Sequence, residues 1–191
     1  MMLPNQRSRN RIQIVFLYGT VVTIGLLAGL LTTLYALQQA PTGSSDFKRA
    51  WKFHSDSADL HVLDFGWNAT GQKCIWSISG TMGLSFTVPK TMAGQVKITF
   101  VAEPFVDKKL PRRVIAIKVN NYDSGRLVFE MPRSFQTRSF TIPAQYLHAA
   151  RSVVHMTLQP DVVTSPRSLL GWAEARPLTI CLASMTLETV K

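Results

Sequence analysis

Residues 14–37 read IVFLYGTVVTIGLLAGLLTTLYAL, without a charge and without a proline. At a helical rise of ~1.5 Å per residue this run spans the ~30 Å hydrocarbon core of a bilayer with room for tilt. The stretch predicts one transmembrane helix and divides the chain into a cytoplasmic tail (1–13), the helix (14–37), a linker (38–50) and a domain (51–191). A cleaved signal peptide would carry an apolar region of ~7–15 residues and an A-x-A-like site. The run here is longer, and Gln38-Gln39-Ala40 lacks the first small residue of such a site.

Orientation follows from the flanking charges. Arg7, Arg9 and Arg11 precede the helix with no acidic residue among them, whereas Asp46, Lys48, Arg49 and Lys52 follow only at a distance. The positive-inside rule then predicts an exported C-terminal domain. Within the helix, Gly25 and Gly29 form a GxxxG pattern that Thr32 and Ala36 continue, a small-residue stripe that admits a second helix in lipid. No charge sits mid-helix, which argues against transport or proton relay by this segment.

After the linker the pattern changes to alternation: Leu84, Phe86, Val88; Val96, Ile98, Phe100; Ile115, Ile117, Val119; Leu127, Phe129; Phe140, Ile142; Val154, Met156, Leu158; Leu178, Ile180, Leu182. Period-two runs bounded by Gly, Pro, Asn and Asp predict successive antiparallel strands, hence an all-β sandwich. The clearest hairpin is expected at 114–130, with its turn at 121–125. Roughly 140 residues suffice for one core.

The chemistry available is sparse. No G-x-S-x-G, H-E-x-x-H or phosphate-cradling glycine loop occurs, and the acids are scattered, so neither catalysis nor a metal or cofactor is expected. Cys74 and Cys181 form no C-x-x-C; in an oxidising compartment they can pair as a disulfide, although their facing is not fixed by sequence. The chain carries 21 Lys and Arg against 11 Asp and Glu, a formal charge of +10. For an exported domain that surplus suits an anionic membrane surface or glycan rather than nucleic acid. Candidate glycan contacts are Trp67 and Trp172, beside Gly66 and Gly171, with the basic loop Lys108, Lys109, Arg112 and Arg113. Trp76 is expected in the core. The mixed aromatic and basic run 47–53 is read either as an interfacial contact through Trp51 or as the ordinary start of the domain.

Several stretches carry a resemblance: Phe65-Gly66-Trp67 with Trp76-Ser77, PRRVIAIKVN at 111–120, FTIPA at 140–144, SPRSL at 165–169 and RPLTI at 176–180. Together they resemble a jelly-roll, galactose-binding-like module of bacterial envelope polysaccharide and lipopolysaccharide proteins, found appended to membrane glycosyltransferases. Thr179 stands where that pattern has glycine, and the acid before Arg176 is displaced to Glu174. The resemblance implies a jelly-roll β-sandwich behind one transmembrane helix in the bacterial inner membrane, with the domain in the periplasm. It implies a non-catalytic accessory that binds a glycan or lipid-linked sugar and serves a glycosyltransferase in trans. The alternative is a structural subunit of an envelope secretion or transport complex that makes protein contacts only.

Overall fold

The computed structural model describes residues 46–120, 122–148 and 153–190. The predicted helix at 14–37, with Gly25, Gly29, Thr32 and Ala36, lies outside the described residues. Among the described residues no helix is long and apolar enough to cross a membrane.

Among the described residues ten strands form two antiparallel sheets. In chain order they are β1 (Lys48–Lys52), β2 (Trp67–Asn68), β3 (Ile75–Ser77), β4 (Met82–Thr87), β5 (Gln95–Pro104), β6 (Arg112–Val119), β7 (Tyr122–Glu130), β8 (Gln136–Pro143), β9 (Val153–Pro160) and β10 (Ile180–Val190). One short helix, α1 (Pro166–Leu170), precedes β10. The first sheet runs β2-β3-β10-β5-β8, with β1 also paired to β10, and the second runs β4-β9-β6-β7.

The pairings are nested about the β6–β7 hairpin: β5 pairs with β8, β4 with β9 and β3 with β10. Successive pairs alternate between the sheets, which is the wrapped double ladder of a jelly roll. The all-β sandwich expected from alternation is therefore present, and its connectivity follows from the register.

Alternation explains the core. Val96, Ile98, Phe100 and Ala102 of β5 face Ile115, Ile117 and Val119 of β6 across the sandwich, all fully or almost fully buried. Trp51 packs its indole 5.2 Å from the Phe86 ring. Because Trp51 is completely buried, it is a core residue and the interfacial reading of it is corrected. β1 also starts before the boundary expected at residue 51.

The hairpin differs in detail. Val119 pairs with Tyr122, so the strands close earlier than expected, and Asn120 takes φ 53°. Asparagine tolerates the positive φ that tight hairpin connections favour. Gly125, expected in the turn, sits instead within β7 at φ 110°, where the register shifts between Ile117 and Lys118.

Cys74 and Cys181 are joined in a disulfide, with 5.3 Å between their Cα atoms. The bond links the residue before β3 to β10, where Cys181 lies opposite Trp76.

Candidate functional site

Four connections gather at one end of the sandwich: 78–81, 105–111, 131–135 and 161–179. Arg113 ties two of them together, meeting 105–111 at its start and 161–179 near both its ends. It shares the inward phase of Ile115 and Ile117, and its side chain is fully buried. Its Nε donates to the Phe105 carbonyl (3.0 Å), Nη1 to that of Val162 (2.6 Å) and Nη2 to that of Leu178 (2.9 Å). Burial pushes its pKa down, and the charge of Asp161 opposes that shift. Arg113 is thus a structural clamp, and its expected place in the glycan-contacting loop is corrected: every guanidinium nitrogen is already spent on backbone.

The other basic residues remain outside. Lys108, Lys109 and Arg112 are exposed. Asp107 Oδ1 accepts from the Lys109 amide, and Lys109 Nζ reaches the Leu169 carbonyl at 3.4 Å, which brings the 105–111 loop against α1. That helix starts at a capping box between Ser165 and Ser168 and ends at Gly171, whose φ of 74° suits glycine. The next residue is Trp172, half exposed at 50 %.

Trp172 does not stand alone. Cys181 lies opposite both Trp76 on β3 and Glu103 on β5, so these residues form a row on the outer face of their sheet. Over that row lies Arg133, from the β7–β8 connection. Its guanidinium carbon is 5.4 Å from the Trp76 ring centroid, 5.4 Å from that of Phe105 and 5.9 Å from that of Trp172. Its Nε donates to Glu103 Oε1 at 2.9 Å. Stacking on rings together with an ion pair fixes the guanidinium plane. The surface so built has an open indole face beside an oriented cation and carboxylate.

Trp76 therefore lies on the outer face rather than in the core, because its flanking residues Ile75 and Ser77 take the inward positions. Trp67 behaves in the opposite way. It lies opposite Ser77, packs against the core, and gives its indole N–H to the Gly83 carbonyl at 2.8 Å. The expectation that Trp67 is an open glycan contact beside Trp172 is corrected accordingly.

Next to Trp172, Glu174 accepts hydrogen bonds from the side chain and backbone N–H of Arg176, which lower its pKa to about 2. A folded-state pKa below the unfolded one stabilises the loop above the ordinary carboxylate range, and the gain is lost as pH falls through about 2. An NMR titration is expected to place the Glu174 midpoint near that value and to return it toward the ordinary range in Arg176→Gln. An unmoved midpoint would refute the pairing in solution.

Elsewhere, Ser85 Oγ lies 3.0 Å from both Asp64 Oδ2 and His155 Nδ1. The carboxylate meets the serine and not the imidazole, so it does not orient the imidazole as a base for Ser85. Among the described residues no three His, Cys, Asp or Glu side chains converge as a metal site. A shallow depression of about 360 Å³ on the outer face of the second sheet is lined by Val114, Ala116, Arg126, Gln159, Pro160 and Asp161.

By sequence, no family model and no curated protein matches this chain. Solved structures that are similar include the CBM36-1 domain of a multidomain xylanase from the hindgut metagenome of Trinervitermes trinervoides, 10% identical, covering 76% of this chain and 99% of that one, with a TM-score of 0.43. A family 35 carbohydrate binding module from an environmental isolate is 14% identical over 77% of this chain and 88% of that one, with a TM-score of 0.39. The Podospora anserina GH26-CBM35 β-(1,4)-mannanase is 11% identical over 75% of this chain, with a TM-score of 0.47. This chain spans 28% of the mannanase and 18% of the glucuronidase BtGH115A, which is also similar. At such scores these likenesses fix neither a family nor a ligand.

Proposed function

We propose that this chain is a non-catalytic, glycan-binding accessory protein, anchored in the bacterial inner membrane by residues 14–37, whose periplasmic sandwich serves envelope polysaccharide or lipopolysaccharide assembly beside a glycosyltransferase. The observation that carries the reading is the half-exposed Trp172 indole flanked by the clamped Arg133 and Glu103 pair. A flat indole packs against the apolar face of a sugar ring, and donors and acceptors fixed at its rim select the hydroxyls. The uncharged run at 14–37, the arginines before it and the resemblance of about 64–187 to envelope-glycan modules support the cellular part of the reading.

A glycan array probed with the full chain in detergent tests it. Trp172→Ala is expected to weaken the strongest array ligand at least about ten-fold while moving the thermal midpoint by only about 2 °C or less, since half the indole already faces solvent. Undiminished binding by Trp172→Ala would refute the site. No binding to any envelope glycan, with copurification of a secretion or transport complex, would replace this reading by the protein-contact alternative.

A further inference from the structure

Arg133 points past a neutral sugar. Its Nε is spent on Glu103, yet among the described residues neither terminal nitrogen meets a protein acceptor, and a third of the side chain is open to solvent. Three aromatic rings surround the guanidinium and restrain its plane. What remains is a fork of two adjacent donors, the geometry that takes two oxygens of one carboxylate or phosphate.

Glu103 offsets the charge of Arg133, so this pair alone would serve hydroxyls as well as anions. The surrounding charges decide between them. Lys108 is exposed and, among the described residues, makes no ion pair; it lies on the loop whose Lys109 already touches the turn of helix before Trp172. The acid nearest Trp172 in the chain, Glu174, is held by Arg176. Asp107 is occupied in capping its own turn. An anion arriving at Trp172 therefore meets the Arg133 fork and the lysines of the 105–111 loop, while Glu174 and Asp107 are already engaged.

We infer that the ligand of this surface is an acidic saccharide, with its anionic group on Nη1 and Nη2 of Arg133 and its ring against Trp172. This inference rests on the glycan reading above and names the class of sugar.

Calorimetry on the full chain in detergent compares three probes: a glucuronate-containing tetrasaccharide, its carboxyl-reduced neutral counterpart, and a tetrasaccharide bearing one phosphomonoester. One or both anionic probes are expected to bind at least about ten-fold more tightly than the neutral one, and the stronger identifies whether carboxylate or phosphate is the natural source. The margin should shrink with added salt and fall to about two-fold or less in Arg133→Lys, which keeps the charge and loses the fork. Equal binding of neutral and anionic probes overturns the inference and leaves the glycan reading standing; that comparison needs no variant. Anion selectivity unchanged in Arg133→Lys overturns the assignment to this residue. Binding of none of the three overturns both readings.

Discussion

Alanine at both Cys74 and Cys181 is expected to lower the unfolding free energy by about 4 to 5 kcal/mol. The two residues are 107 apart in sequence, and a loop of that size has a large closure entropy that the bond removes from the unfolded chain. The native site offers little to compensate, because β3 meets β10 through only two residue pairs, Cys181 with Trp76 and Leu182 with Ile75. For a domain of this size the loss corresponds to a fall of roughly 10 to 20 °C in thermal midpoint. Reducing the wild type with dithiothreitol should reproduce the shift. A change of a degree or two in both experiments would show that the bond adds nothing. Because Trp76 follows two residues after Cys74, the same variants should also loosen the Trp76, Arg133 and Trp172 cluster. Thiol counts on chain taken directly from membranes bear on location, since a reducing compartment would leave both cysteines free.

The second large effect is at Arg113. Arg113→Met keeps the length and apolar stem of the side chain but abandons the carbonyls of Phe105, Val162 and Leu178. Each buried acceptor left without a donor costs about 1 to 3 kcal/mol. The expected total is about 3 to 5 kcal/mol, reduced because the Val162 end lies near the surface and water can reach it. Arg113→Lys should recover only part, since one ammonium cannot span three carbonyls held at the corners of a guanidinium. Arg112→Ala, one residue away and exposed, is the control and should stay within about 0.5 kcal/mol of wild type. Urea denaturation of the four proteins checks the order, and an Arg113→Met midpoint equal to that of Arg112→Ala would refute the clamp. Hydrogen exchange should show the loss first at the amides of Phe105 and Leu178, which bond to Thr179 and Thr164 across the same loops.

The difference between Arg112 and Arg113 shows how much was legible. The alternation that identifies β6 puts Arg113 in phase with Ile115, Ile117 and Val119 and Arg112 out of phase, so counting back from the core separates the two. Reading 108–113 as one basic loop hid that. Trp76 is similar: its apolar neighbour Ile75 takes the inward position, and the average burial of tryptophan outweighed local phase. β4 to β9 and the start of β10 were visible because each is long enough to show alternation. β1, β2 and β3 were not, since two to five residues do not define a period. Arg133 left no local trace. Its partners are Trp76, the adjacent Glu103 and Phe105, and Trp172, assembled from three separate segments by the nested pairing, and no spacing in the sequence encodes that meeting.

The place of β10 bears on how the chain is made. The central strand of its sheet is drawn from residues 180–190, while its neighbours β1, β3 and β5 are complete by residue 104. At ~5–20 residues per second, roughly 5 to 20 s of synthesis separate β3 from β10. During that interval the first sheet has no centre and Cys74 is an unpaired thiol. The sequence holds no third cysteine, so a wrong disulfide formed while Cys74 waits can only join it to another molecule.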